Sequence, residues 1–89
     1  MDLHLKGKRA IVLGGTRGIG RAIAETLAGE GADIAVCARN ADQVEEAVAA
    51  LRKTGVRATG AAVDIAKGED LKIWVGEVAK TFGGIDILI

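Results

Sequence analysis

A run of eight residues, Leu13-Gly14-Gly15-Thr16-Arg17-Gly18-Ile19-Gly20, constrains this chain more than any other stretch, because it sets four glycines between an apolar segment and a helical pattern. Glycine lacks a Cβ, so it admits positive φ in a tight turn and lets backbone N–H groups come close to another molecule. The first N–H groups of a helix that follows such a turn have no intrahelical partner, and together with the helix dipole they favour an anion. Two readings follow: the turn serves only the close packing of a strand against a helix, or it receives the phosphates of a dinucleotide. Its place directly after an apolar run and directly before a helical pattern is what the second reading requires. The spacing of Gly14, Gly18 and Gly20 is G-x-x-x-G-x-G; G-x-G-x-x-G does not fit, since Ile23 stands three beyond Gly20, and no Gly-Lys-Ser/Thr of a P-loop is present.

The rest of the chain reads as alternating strands and helices around that turn. After a lead-in with Gly7 as a turn and Leu3 and Leu5 free to pack, Arg9 or Ala10 to Leu13 reads as a strand apolar on both faces. A helix is predicted from Gly18 or Ile19 to Gly29, with Ile19, Ala22, Ile23 and Leu27 on one face and Gly31 as its stop. Ala32 to Ala38 is a second strand. Asn40 follows as N-cap, with Gln43 in the capping-box position, and a helix from Ala41 to Lys53 or Thr54 carries Val44, Val48 and Leu51 before Gly55. Val56 to Val63 is a third strand, interrupted by Gly60 and ending at Asp64-Ile65. A third helix is expected from about Glu69 to Thr81, with Leu71, Trp74, Val75, Val78 and Phe82 on one side, Glu69 and Asp70 suiting its first turn, and Gly83-Gly84 ending it. Ile85 to Ile89 begins a fourth strand.

This alternation, with no proline, predicts an α/β fold: a parallel sheet with right-handed crossovers in strand order 3-2-1-4. A hydrophobic fraction of 49% with one Trp, one Phe and no Tyr gives a core of Ala, Val, Ile and Leu, as in parallel strands buried under helices. Twelve basic and twelve acidic residues cancel, so no overall field points to nucleic acid or an anionic membrane. The single Cys37 allows no internal disulfide and suggests no metal constellation, and a reducing cytoplasm suits it. No apolar stretch approaches the roughly 20 residues of a membrane span, and the lead-in has no signal-peptide core. Ile85 to Ile89 would lie beside the first strand as an exposed apolar edge, which natural domains usually cover. The chain is therefore expected to be a fragment of a longer one, truncated at the fourth strand.

Leu13 to Ala24 resembles the T-G-x-x-x-G-I-G turn and first helix of the short-chain dehydrogenases/reductases, especially the 3-oxoacyl carrier-protein reductases. The likeness extends along the chain: Lys6-Gly7-Lys8 before the first strand, Asp64 at the end of the third, and Gly83-Gly84-Ile85-Asp86-Ile87-Leu88-Ile89 before the place where the family has N-N-A-G. One position departs. Leu13 stands where the family usually has a Thr that orders the turn by hydrogen bonding.

The resemblance implies residues 1–89 to be the N-terminal part of a single Rossmann-type NADP-binding domain, the first half of a doubly wound sheet. Gly14, Gly18, Ile19 and Gly20 would surround the adenosine ribose and pyrophosphate, Thr16 is counted with the cofactor-binding residues, and Asp64 would take the adenine amino group with Ile65 beside the ring. Asp64 also reads as a simple turn residue. In the family the residue at Ala38 often decides the cofactor, because a carboxylate there bonds the ribose 2′-hydroxyl and repels a 2′-phosphate. Here Ala38 is followed by Arg39, so Arg17 and Arg39 would converge on one phosphate and favour NADP(H) over NAD(H). Read blandly, they are two solvated surface arginines. His4 reads as a surface residue, Cys37 as core or adenine-pocket lining, Trp74 and Phe82 as core or interface, and Glu45-Glu46 as a solvated helix face.

The family's catalytic Ser, Tyr and Lys, with an Asn in the strand-four turn, would all follow Ile89; residues 1–89 contain no Tyr and no Ser. Two functions therefore stand. One is the cofactor-binding start of an NADP(H)-dependent reductase or dehydrogenase acting on a small carbonyl or alcohol, with homo-oligomer contacts on elements beyond Ile89. The other is a non-catalytic nucleotide-binding or assembly fragment that pairs through its open edge strand.

Overall fold

The computed structural model describes residues 5–89; the expectations for Leu3 and His4 lie outside them. The elements alternate as β1 (Arg9–Leu13), α1 (Gly18–Gly29), β2 (Asp33–Ala38), α2 (Ala41–Arg52), β3 (Ala58–Ala62), α3 (Gly68–Phe82) and β4 (Ile87–Leu88). The four strands form one parallel sheet in the order β3-β2-β1-β4, the order predicted.

Period-two alternation along the strands decides which helix covers which face. Ala10 and Val12 of β1 and Ile34 and Val36 of β2 pack with Ala24 and Ala28 of α1 and Val44, Ala47, Val48 and Leu51 of α2. Ile11, Ala35 and Cys37, one residue out of phase, face Trp74, Val78 and Phe82 of α3. Both faces of the sheet are thus covered, which is why its central strands are apolar throughout. Leu5 joins the first cluster, and Trp74 and Phe82 are core residues of the second.

The helix signals act as their chemistry dictates. Asn40 caps α2 through a bond from the Gln43 N–H to its Oδ1 at 3.0 Å. Gly31, Gly55 and Gly83 follow the three helices at φ of 93°, 93° and 81°, the left-handed turn that ends a helix. Ile19 is 81% exposed, because the helix meets the sheet through Ala24 and Ala28, with Ile23 and Leu27 only partly buried. The outer strands are shorter than predicted. β4 pairs through Ala10↔Ile87 and Ile11↔Leu88, and the Ile89 carbonyl accepts from the Leu13 N–H at 2.8 Å.

Two arginine–aspartate pairs lock the end of the sheet where the strands begin. Arg57 reaches Asp33 with its backbone N–H and Nε, both at 2.9 Å, and stacks 4.9 Å from the Phe82 ring centroid. Arg9 gives its Nε to Asp86 Oδ2 and its Nη1 to the Gly83 carbonyl, at 2.9 and 2.8 Å, and its backbone N–H also bonds Asp86. The Arg9 guanidinium, then its backbone N–H, hold the Asp86 carboxyl below the usual carboxylate range. A carboxyl whose folded pKa is depressed adds stability above its unfolded pKa of about 3.9 and loses it as pH falls through the lower folded value. Asp86→Asn is therefore expected to be less stable than the parent at neutral pH, with the gap closing as pH falls below about 4. Urea denaturation at stepped pH measures this, and a gap constant into strong acid would exclude the ion pair as its source.

Candidate functional site

The strands end on a common side, and the residues that follow them surround an open cleft of about 660 Å³. Gly14, Thr16 and Arg17 come from the turn after β1, Ala38 and Arg39 from the end of β2, and Asp64 and Ile65 from the segment after β3. Seven of the ten residues singled out from the sequence are thus brought together. Gly18, Ile19 and Gly20 are not in the lining; they form the first turn of α1 beside it. The cleft adds Asn40 and Gln43, which sequence reasoning had used only as a helix cap.

The four glycines of the turn divide by physical role. Gly14 and Gly18 hold φ of 70° and 62°, and a Cβ on either would meet nothing within 4 Å. They are required by the backbone and leave open space in front of it. Gly15 and Gly20 are required by packing. A Cβ on Gly15 would sit 2.7 Å from Val36 Cγ1, and one on Gly20 would drive into the carbonyl of Gly14. Close packing thus accounts for Gly15 and Gly20, whereas positive φ and open space distinguish Gly14 and Gly18.

Leu13 cannot supply the hydrogen bond of a Thr, and other groups order the turn. The Gly14 N–H donates to the Cys37 carbonyl at 2.8 Å. Arg21 Nη1 donates to the Thr16 carbonyl at 3.2 Å, while its Nε is held by Glu25 at 2.7 Å. Sequence reasoning missed Arg21; its signal was the i,i+4 pairing with Glu25. Cys37 is fully buried in the second cluster, outside the cleft lining, and burial pushes its thiol pKa up.

The electrostatics of the cleft favour an anion. The N-cap of α1, Arg17, makes no side-chain capping bond, and the first turn of α1 holds no acid. By contrast, α2 has Asn40 and Asp42, and α3 has Glu69 and Asp70. The free N–H groups of α1 thus open on the cleft side of the sheet. Arg17 and Arg39 are exposed, and among the described residues neither is in an ion pair, whereas Arg9, Arg21 and Arg57 are each bound to a carboxylate. Asp64 accepts the Ala66 N–H on Oδ1 at 3.0 Å, so it is a turn residue and a cleft residue at once. Among the described residues no helix is long and apolar enough to cross a membrane. Among the described residues no cluster of His, Cys, Asp and Glu is suited to a metal.

A parallel sheet of this order, with a glycine turn after β1 and a cleft across the strand ends, defines a Rossmann-type fold. Residues 8–89 match the family model described as short chain dehydrogenase, and the chain belongs to that family. It is 42% identical over 85 residues to human dehydrogenase/reductase SDR family member 4, covering 96% of this chain and 31% of that protein. It is 40% identical over 83 residues to a 3-oxoacyl-acyl-carrier-protein reductase of Staphylococcus epidermidis, covering 92% and 34%. Among solved structures, L-sorbose reductase from Gluconobacter frateurii, complexed with NADPH and L-sorbose, superposes with a TM-score of 0.93 at 46% identity, over 99% of this chain and 34% of that one. NAD+-bound xylitol dehydrogenase superposes at 0.91 with 37% identity, over 94% and 32%. The chain spans about a third of the length of these relatives.

Proposed function

We propose that the chain is the NADP(H)-binding part of an oxidoreductase that transfers hydride between the nicotinamide cofactor and a small carbonyl or alcohol substrate. In this reading residues 1–89 are the first part of one domain. The catalytic Ser, Tyr and Lys are carried by sequence beyond Ile89, where the Tyr is the general acid and the Lys lowers its pKa. Gly14, Thr16, Gly18, Ile19 and Gly20 face the pyrophosphate and adenosine ribose. Asp64 takes the adenine amino group with Ile65 against the ring, and Arg17 and Arg39 hold the 2′-phosphate. A soluble cytoplasmic protein and a homo-oligomer suit this activity.

The observation that carries the cofactor preference is the end of β2. Ala38 places no carboxylate on the cleft wall, and Arg39 beside it shares the cleft with Arg17, both unpaired among the described residues. Of the neighbouring structures, L-sorbose reductase carries NADPH and xylitol dehydrogenase NAD+, so family membership alone leaves the choice to such residues. A guanidinium–phosphate bond contributes about 1.5 to 3 kcal/mol, toward the low end when exposed. Arg39→Asp is accordingly expected to lower NADPH affinity about ten- to thirtyfold with little effect on NADH. Fluorescence titration of both cofactors tests it; an unchanged NADPH affinity would sink the preference.

A second reading, a nucleotide-binding or assembly fragment, draws on one observation: Leu88 and Ile89 at the sheet edge are 62% and 47% exposed. Intact mass and an NADPH-oxidation assay separate the two. The mass of the 89-residue chain without turnover selects the fragment.

A further inference from the structure

We infer that Arg21 is a positioning residue for dinucleotide binding: it holds the Thr16 carbonyl, and so turns the Arg17 N–H of the same peptide toward the nucleotide. The inference rests on the cofactor reading above and applies to NADPH and NADH alike.

The turn does not fix its own geometry. Gly14 and Gly18, at φ of 70° and 62°, stand at its two ends, and glycine resists rotation of the adjoining peptides less than any other residue. Among the described residues one end is tied by the Gly14 N–H to the Cys37 carbonyl at 2.8 Å. The other is tied by a side chain, Arg21 Nη1 donating to the Thr16 carbonyl at 3.2 Å. That guanidinium is itself aimed. Glu25 Oε1, one helical turn on, accepts from its Nε at 2.7 Å, and the Arg21 side chain is only 23% exposed.

A trans peptide is planar, with its C=O and N–H pointing in opposite directions. Thr16 and Arg17 line the cleft, and Arg21 does not. Drawing the Thr16 carbonyl to Arg21 therefore takes the negative end of that peptide away from the cleft and leaves the Arg17 N–H on the cleft side. Among the described residues no acceptor is bonded to that N–H. With the peptide rotated the other way, a carbonyl oxygen would face the acceptor-rich nucleotide, and a donor would be exchanged for a repulsion. Because Glu25 pairs the charge of Arg21, the effect is one of geometry, without the salt dependence of an exposed, unpaired charge.

The parent, Arg21→Lys and Arg21→Ala, each isotope-labelled, are titrated with NADPH and NADH at low and high salt, with thermal midpoints and the Arg17 amide resonance recorded. Alanine suits a helix interior and offsets the lost pair with Glu25, so the Arg21→Ala midpoint stays within a few degrees of the parent. Arg21→Ala is expected to lower both affinities by the same factor, about tenfold, at either salt concentration. Arg21→Lys keeps a donor but not the forked geometry, and it restores part of that loss. At saturating cofactor the Arg17 amide proton moves downfield in the parent and less so in Arg21→Ala. Affinities unchanged in Arg21→Ala overturn the inference, and so does a parent whose Arg17 amide does not respond to cofactor. A loss of affinity accompanied by a midpoint lowered by about ten degrees or more assigns Arg21 to the fold alone and also overturns it. A parent protein that binds neither cofactor refutes the cofactor reading itself.

Discussion

Gly20→Ala is expected to lower stability by about 3 kcal/mol and to abolish measurable nucleotide binding. The added methyl would enter the space held by the Gly14 carbonyl, with Gly15 Cα close behind. These are backbone atoms and cannot rotate away as a side chain would. Relief requires moving the start of α1 off the end of β1, and that contact sets the Gly14 turn against the helix N-terminus. Gly29→Ala is the matched control, since a Cβ at Gly29 meets nothing within 4 Å, and it should be neutral or slightly stabilising. Denaturant unfolding and cofactor titration of both variants give the comparison; equal stabilities would refute the packing role of Gly20.

Gly60→Ala is expected to cost about 3 kcal/mol as well, at a position remote from the turn. Its Cβ would lie 2.6 Å from Val44 Cγ1 and 2.9 Å from both the Val36 carbonyl oxygen and Val48 Cγ2. Gly60 pairs with Val36 in the β2–β3 ladder, and α2 crosses directly over it through Val44 and Val48. The two valines can shift, but the ladder carbonyl cannot. The expected signature is a lower unfolding midpoint at unchanged NADPH/NADH preference, since Gly60 does not line the cleft. A variant as stable as the parent would mean that α2 rides higher over β3 than the structure shows.

Gly60 also shows where sequence reading stops. In the sequence it weakens the third strand, whereas in the fold it is what allows a helix bearing Val44 and Val48 to approach the sheet. The strand order was legible, because the alternation of strands with helices and the Asn40, Gly31, Gly55 and Gly83 signals are local, whereas which helix covers which face came from the packing of the strands' side chains. Ile19, Ala22, Ile23 and Leu27 share one side of α1 as their spacing requires, but the fully buried contact is made by Ala24 and Ala28, whose small size brings helix and sheet together. The site was legible where a motif marks it, at Gly14 to Arg17, Ala38-Arg39 and Asp64-Ile65. It was not legible at Asn40 and Gln43, since a helix-cap signature says nothing of what else the capping residues face. The Arg9–Asp86 clamp joins residues 77 apart in sequence, and only the β1–β4 pairing brings them together.

The distribution of the arginines has a kinetic consequence. At the end where the strands begin, Arg9 and Arg57 are paired with Asp86 and Asp33, while Arg17 and Arg39 line the cleft outside any ion pair among the described residues. In a chain of zero formal net charge, the cleft thus carries two guanidinium groups against the single carboxylate of Asp64, a local excess of positive charge. Such a field draws a multiply charged anion toward one side of the molecule during diffusion, within a Debye length of about 8 Å at physiological salt. If the cleft takes the phosphorylated dinucleotide proposed above, its capture slows as ionic strength rises, whereas short-ranged packing against an adenine ring is left almost untouched.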